Sequence, residues 1–104
     1  MGLIDDAIQE FQLVSKTASQ EAGALYQMGI CEIARENFAA ARELFDKALK
    51  HPSLASQEKI SITYELAEAL LKLDDKSRAR KLYQEVMKLD PEFRDVQDRL
   101  KALA

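Results

Sequence analysis

Apolar residues recur along this chain of 104 residues at intervals of three and four, the spacing that places side chains on one face of an α-helix. In the first such segment, Ala7 and Val14 share a face with three large residues, Ile4, Ile8 and Phe11. Polar residues occupy the other faces, as expected for amphipathic helices. The pattern predicts six helices, at residues 3–16, 18–35, 38–50, 56–73, 76–89 and 91–104.

Residues that favour helix ends stand at the predicted boundaries. Thr17 and Gln20 have the spacing of a capping box, in which the Thr side chain caps a backbone N–H and the Gln side chain reaches back. Pro91 suits the first position of a helix, where its missing N–H has no cost. The predicted caps of the last five helices are Thr17, Asn37, Ser56, Asp75 and Asp90.

A group of three residues recurs in alternate helices. It consists of a small residue, an aromatic four positions later, and a small or branched residue three beyond that. The first two copies are 34 residues apart and the last two are 38 apart, a period typical of stacked helical hairpins. Four extra residues add about one helical turn, which predicts an extended first helix in the second full repeat. The copies are Ala7, Phe11 and Val14; Ala41, Phe45 and Ala48; Ala79, Tyr83 and Val86.

Composition and charge disfavour several classes of function. The net charge is −3 with both signs interleaved, so neither nucleic acid nor a membrane surface is an expected partner. No apolar run reaches the roughly 18 residues of a membrane span, and the N-terminus lacks the features of a signal peptide. One cysteine, Cys31, excludes a disulfide within the chain and fits a cytoplasmic location.

The residues of catalytic and metal sites are almost absent. His51 is the only histidine and stands beside a proline in a predicted turn, while Cys31 is expected to be a small buried residue. One Cys and one His cannot form a tetrahedral zinc site, and no glycine-rich phosphate loop occurs. The sequence therefore predicts no enzyme activity, no cofactor and no metal.

Two stretches carry a family resemblance. Residues 25–29 followed by 38–49, and residues 64–67 followed by 79–91, resemble the tetratricopeptide repeat family. The chain departs from the family pattern at Glu32, Glu36 and Thr63. The resemblance implies an all-α fold of antiparallel helical hairpins, stacked as a right-handed α-solenoid. Its single domain, 1–104, would comprise the second helix of an incomplete repeat (1–16), a repeat (18–51), a repeat with an extended first helix (55–90) and a capping helix (91–104).

The resemblance also implies a concave groove, lined by the first helix of each hairpin, that binds a peptide or helix of a protein partner. Tyr26 and Tyr64 are the leading candidates because tyrosine is enriched at interfaces, although a packing role is equally open. No cationic pair is expected there to hold a carboxylate. The groove is expected to be semi-apolar with acidic spots, so a peptide with apolar anchors, which can also bear a Lys or Arg, is favoured. By this alignment the groove residues are Tyr26, Gln27, Ile30, Ile33, Ala34, Tyr64, Glu65, Glu68, Leu71 and Lys72.

Two functions follow as hypotheses. The first is an adaptor or scaffold, such as the end module of a bacterial multi-repeat protein. The alternative is a homo-oligomerisation module, because Ile4, Ile8 and Phe11 of the first predicted helix cannot all be buried against the second helix alone.

Overall fold

The computed structural model describes residues 18–51 and 54–103 and contains five α-helices over these ranges, with no strand. The predicted helix 3–16 and the predicted cap Thr17 lie outside the described residues. The all-α prediction is confirmed. The helices are α1 (Ala18–Ala34), α2 (Phe38–Leu49), α3 (Ser56–Lys72), α4 (Lys76–Leu89) and α5 (Val96–Leu103).

The helices form two successive hairpins. Helix α1 packs against α2, α3 packs against α4, and contacts between α2 and α3 join the two hairpins. The first helices of the hairpins, α1 and α3, also touch. Both have 17 residues, so the extension predicted for the first helix of the second repeat does not distinguish α3 from α1. Corresponding helices begin 38 residues apart, at Ala18 and Ser56 and again at Phe38 and Lys76.

Both hairpin turns use a residue in the left-handed region of backbone space. Glu36 has φ 61° and Asp74 has φ 65°. The amide of the following residue reaches back five positions, from Asn37 to the Glu32 carbonyl and from Asp75 to the Leu70 carbonyl, both at 2.8 Å. This is the Schellman arrangement that closes a helix C-terminus, and it usually contains glycine. The departure at Glu36 therefore leaves the turn intact but places a bulky residue where glycine is preferred.

The predicted helix caps are confirmed only in part. Asp75 caps α4 as predicted, since its side chain accepts a hydrogen bond from the Arg78 amide at 3.2 Å. Asn37 occupies the cap position of α2 but its side chain makes no capping bond; the side-chain Nδ2 donates a hydrogen bond to the buried Glu32 carboxylate at 2.8 Å. Ser56 is the first helical residue of α3 rather than its cap, and Ala55 stands at the cap position.

The core is built from the repeated small and aromatic residues. Both described copies of the group of three residues are fully buried. Gly29 of α1 lies against the ring of Phe45, so closely that an added Cβ would overlap it. The small residue lets α1 and α2 approach, as the sequence predicts, and the Phe45 ring packs against Gly29 and Tyr26 within the first hairpin.

The last helix begins later than predicted. Residues 91–95 form turns, and α5 starts at Val96 instead of Pro91. Arg94 has φ 46°, a left-handed conformation that a continuous helix cannot contain. The Asp90 side chain accepts a hydrogen bond from the Glu92 amide at 3.1 Å, which stabilises a turn at this point. The consequence is that Phe93, Arg94 and Asp95 leave α4 in a non-helical path.

Candidate functional site

The face shared by α1 and α3 holds the residues predicted to line the groove, and they differ widely in exposure. Gln27, Ala34 and Lys72 are exposed. Tyr64 is only 4% exposed. The others are partly buried, and four of them pack against the core. The partly buried residues are Tyr26, Ile30, Ile33, Glu65, Glu68 and Leu71, of which Tyr26, Ile30, Ile33 and Leu71 pack against the core.

An open cleft of about 210 Å³ lies between the N-terminal halves of α1 and α3. Tyr26 provides the partly exposed apolar surface of the cleft, Ile62 lines it although only 2% exposed, and Gly23 leaves room because no described atom lies within 4 Å of a Cβ added there. Tyr26 is the only residue of the cleft that the sequence predicted as part of the groove. The cleft is lined by Gly23, Tyr26, Gln57, Glu58, Ser61 and Ile62.

The other half of the predicted groove is covered by the chain itself. The ring of Phe93 packs edge-on against Tyr64, with 5.5 Å between centroids. The guanidinium carbon of Arg94 lies 4.9 Å from the Tyr64 ring centroid. The Tyr64 hydroxyl donates a hydrogen bond to the Asp95 carboxylate. Tyr64 is therefore used for packing within the chain.

Both acidic residues predicted in the groove are paired with arginines of the C-terminal segment. Arg94 Nη1 lies 2.5 Å from Glu65 Oε1, and Arg99 Nη2 lies 2.9 Å from Glu68 Oε1. These pairs join residues 29 and 31 positions apart. Glu65 and Glu68 are therefore not free acidic spots, and the two arginines are not free to clamp a carboxylate.

A polar network behind this surface ties α5 to both helices of the second hairpin. The Tyr83 hydroxyl donates to Glu68, which also accepts a hydrogen bond from Arg99. Burial, and then the hydrogen bond to Asp95, raise the pKa of Tyr64 to about 12. Burial, and then the hydrogen bond to Glu68, raise the pKa of Tyr83 further above its usual value. Both phenols therefore remain protonated donors at neutral pH and hold the carboxylates in place.

Candidate metal ligands do not cluster in the described part of the chain. Over residues 18–51 and 54–103, no group of three or more His, Cys, Asp or Glu side chains is placed to hold a metal ion. Cys31 is partly exposed rather than buried, because it lies beside the predicted face of α1 instead of within it. No helix in these two ranges is long and apolar enough to cross a membrane.

Several residues of this surface were missed from the sequence. Gln57, Glu58 and Ser61 belong to the first turns of α3, and Ile62 precedes the segment that was aligned with the family pattern. The 38-residue step between corresponding helices could have indicated Ser61, since it makes Ser61 the counterpart of Gly23. No local signal could have indicated Arg94, because its position depends on the turn at residues 91–95. The candidates for self-association, Ile4, Ile8 and Phe11, lie outside the described residues.

Comparison with known proteins agrees with this architecture. A family model described as the tetratricopeptide repeat matches residues 32–104, from the end of α1 to the end of the chain. A comparison with curated proteins finds none that matches. Tetratricopeptide repeats generally mediate protein–protein interactions and are not a catalytic fold. The chain, with its two described hairpins and terminal helix, therefore belongs to the tetratricopeptide repeat family.

Proposed function

We propose that this chain is an adaptor or scaffold that binds a segment of another protein along the face shared by α1 and α3. The observation that carries the proposal is the cleft of about 210 Å³ between these helices. An apolar cavity of ~150 Å³ can hold one benzene molecule, so the cleft is large enough for one apolar side chain of a peptide or helix.

The chemistry of the cleft supports the same partner class. Tyr26 offers apolar contact area and a hydroxyl, while Ile62, which is almost fully buried, forms part of the apolar wall. Gln57, Glu58 and Ser61 form a polar rim that can hydrogen-bond to a partner backbone. An apolar centre with a polar rim is the usual anatomy of a protein interface. A partner with an apolar anchor therefore fits better than a small polar ligand.

Substitutions at Gly23 test the proposal. Gly23→Leu should fill the cleft without forcing the backbone, because no described atom lies within 4 Å of its Cβ. Gly23→Ala is the matched control, since it adds a side chain too short to block the cleft. A peptide selected by display on the wild-type protein would be measured with all three proteins by fluorescence anisotropy.

We expect Gly23→Leu to weaken binding at least about tenfold, the loss of ~1.4 kcal/mol, while Gly23→Ala stays within about twofold of wild type. Circular dichroism checks that both variants are folded. Equal affinity of the Leu variant and the wild type would place the binding surface elsewhere.

The predicted bacterial origin, cytoplasmic location and self-association remain predictions. Self-association would use Ile4, Ile8 and Phe11, and no observation on the described residues favours it over partner binding.

A further inference from the structure

The side chain of Arg94 lies in a seat made of aromatic rings and a carboxylate. Its guanidinium carbon lies 4.9 Å from the Tyr64 ring centroid and 5.0 Å from the Phe93 centroid. Its Nη1 lies 2.5 Å from Glu65 Oε1, and the Tyr26 side chain also interacts with it. We call this set of four residues, Tyr26, Tyr64, Glu65 and Phe93, the Arg94 seat.

The Arg94 seat has the chemistry of a cation site. Aromatic faces within about 6 Å attract a guanidinium or ammonium group, and a carboxylate adds a charge-assisted hydrogen bond. Burial alone lowers the pKa of Arg94, but the bonds to Glu65 and Tyr26 outweigh it and raise that pKa above its usual value. The surroundings therefore stabilise the charged form of Arg94 in spite of its burial.

The Arg94 side chain is more exposed than Tyr64 and Glu65, the two residues of α3 that it contacts. The Tyr64 residue is 4% exposed and the Glu65 side chain 15% exposed, whereas the Arg94 side chain is 44% exposed. Arg94 also belongs to a turn and has φ 46°, a conformation that is unfavourable for a residue with a side chain. Tyr64 and Glu65 thus belong to the packed helix α3, whereas the Arg94 side chain can leave them without unfolding a helix.

We propose that the Arg94 seat binds a guanidinium or ammonium side chain of the protein partner, and that Arg94 closes the seat when no partner is bound. The proposal rests on the proposed function, because Tyr26 borders both the Arg94 seat and the cleft that would take the apolar anchor of the partner. It assigns to that partner an Arg or Lys residue beside its apolar anchor.

The tethered Arg94 competes with any free cation. If Arg94 leaves the seat open about one-tenth of the time, the apparent affinity for an added cation falls about tenfold. A partner that is also anchored in the cleft gains effective concentration at the seat and can displace Arg94, whereas an isolated arginine cannot do so readily.

The test removes the Arg94 side chain by substitution and measures the binding of a small cation to the Arg94 seat. Arg94→Gly removes the occupant and suits the positive φ of the turn; Arg94→Ala is a second variant. The probe is N-acetyl-arginine amide, followed through the NMR signals of the Tyr26 and Tyr64 rings. Arg78→Ala is the matched control, because Arg78 is also 44% exposed and pairs with a carboxylate, that of Asp46, at 2.7 Å.

We expect saturable shifts in both Arg94 variants, with an affinity about tenfold or more above that of the wild type and of Arg78→Ala. Adding Glu65→Gln to Arg94→Gly should remove most of that affinity, and N-acetyl-leucine amide should not bind the seat. The proposal is overturned if emptying the seat does not improve binding of the arginine probe, or if Glu65→Gln leaves the affinity unchanged. Neither result depends on the peptide assay with the Gly23 variants, so the seat and the cleft can fail separately.

Discussion

The two glycines of α1 should respond in opposite ways to the same substitution. In a helix interior, alanine is favoured over glycine by about 0.8–1.0 kcal/mol. Gly23 has no described atom within 4 Å of an added Cβ, so Gly23→Ala should realise that gain in the free energy of unfolding. At Gly29 the same Cβ would overlap three carbons of the Phe45 ring.

The loss at Gly29 can be worked out from the packing. Phe45 is fully buried and packs against α1 at Gly29 and Tyr26, so its ring cannot move away into solvent. Inserting a methyl group into such a core costs about 1–3 kcal/mol, which equals or exceeds the helix-propensity gain. We therefore expect the unfolding free energy of Gly29→Ala to lie about 1–3 kcal/mol below that of Gly23→Ala.

Urea unfolding followed by circular dichroism would measure both variants, and equal slopes of free energy against urea would show that the unfolded states are comparable. In thermal unfolding, 1 kcal/mol corresponds to about 4–8 °C for a domain near this size. If the two variants were equally stable within about 0.5 kcal/mol, Gly29 would not be the close contact between α1 and α2, and the account of the small-residue positions would be wrong.

Two further predictions concern the first hairpin turn and the tyrosine network. Glu36→Gly should raise the unfolding free energy by about 0.5–1 kcal/mol, because glycine adopts the φ of 61° without strain. The control Glu43→Gly, at an exposed site inside α2, should lower the unfolding free energy. A lower unfolding free energy in both variants would show that the left-handed conformation of Glu36 costs no stability. The pKa of Tyr64 is raised to about 12 from about 10 in the unfolded chain, so its contribution to stability is complete below pH 10 and is lost between pH 10 and 12. Urea unfolding from pH 10 to 12 should show a smaller decline in the free energy of unfolding for Tyr64→Phe than for wild type. The decline that remains in Tyr64→Phe comes in part from Tyr83. An identical decline in both proteins would show that the raised pKa of Tyr64 does not contribute to stability.

Much of the fold could be predicted because its signals are local. The repeated groups around Ala41 and Ala79 identify the buried faces, since the small residues admit a neighbouring helix and the aromatics fill the gap. Asp75 caps α4 as its residue type predicts. The failure of the cap predicted at Asn37 is also local in origin. Its side chain bonds to Glu32 instead of to the backbone of α2, and residue type alone does not predict that bond.

The candidate site was harder to predict because its contacts span long stretches of chain. Alignment placed Tyr64 and Glu65 on the groove side, and that placement is reasonable for α3 taken alone. Their exposure depends on Phe93 and Arg94, almost 30 residues later, and on the turn that prevents α5 from starting at Pro91. The same turn decides that the acidic side chains meet arginines of their own chain.

The amino-acid sequence by itself determined the helices, the hairpin repeat and the identity of most core positions, because periodicity and residue size act between neighbours in the chain or at a fixed repeat distance. The tertiary structure alone decided which part of the shared face stays open. The left-handed backbone conformation at Arg94 directs its side chain over α3. Its contacts with Tyr64 and Glu65 form only when α3 and the C-terminal segment are packed together, because these residues are far apart in the chain.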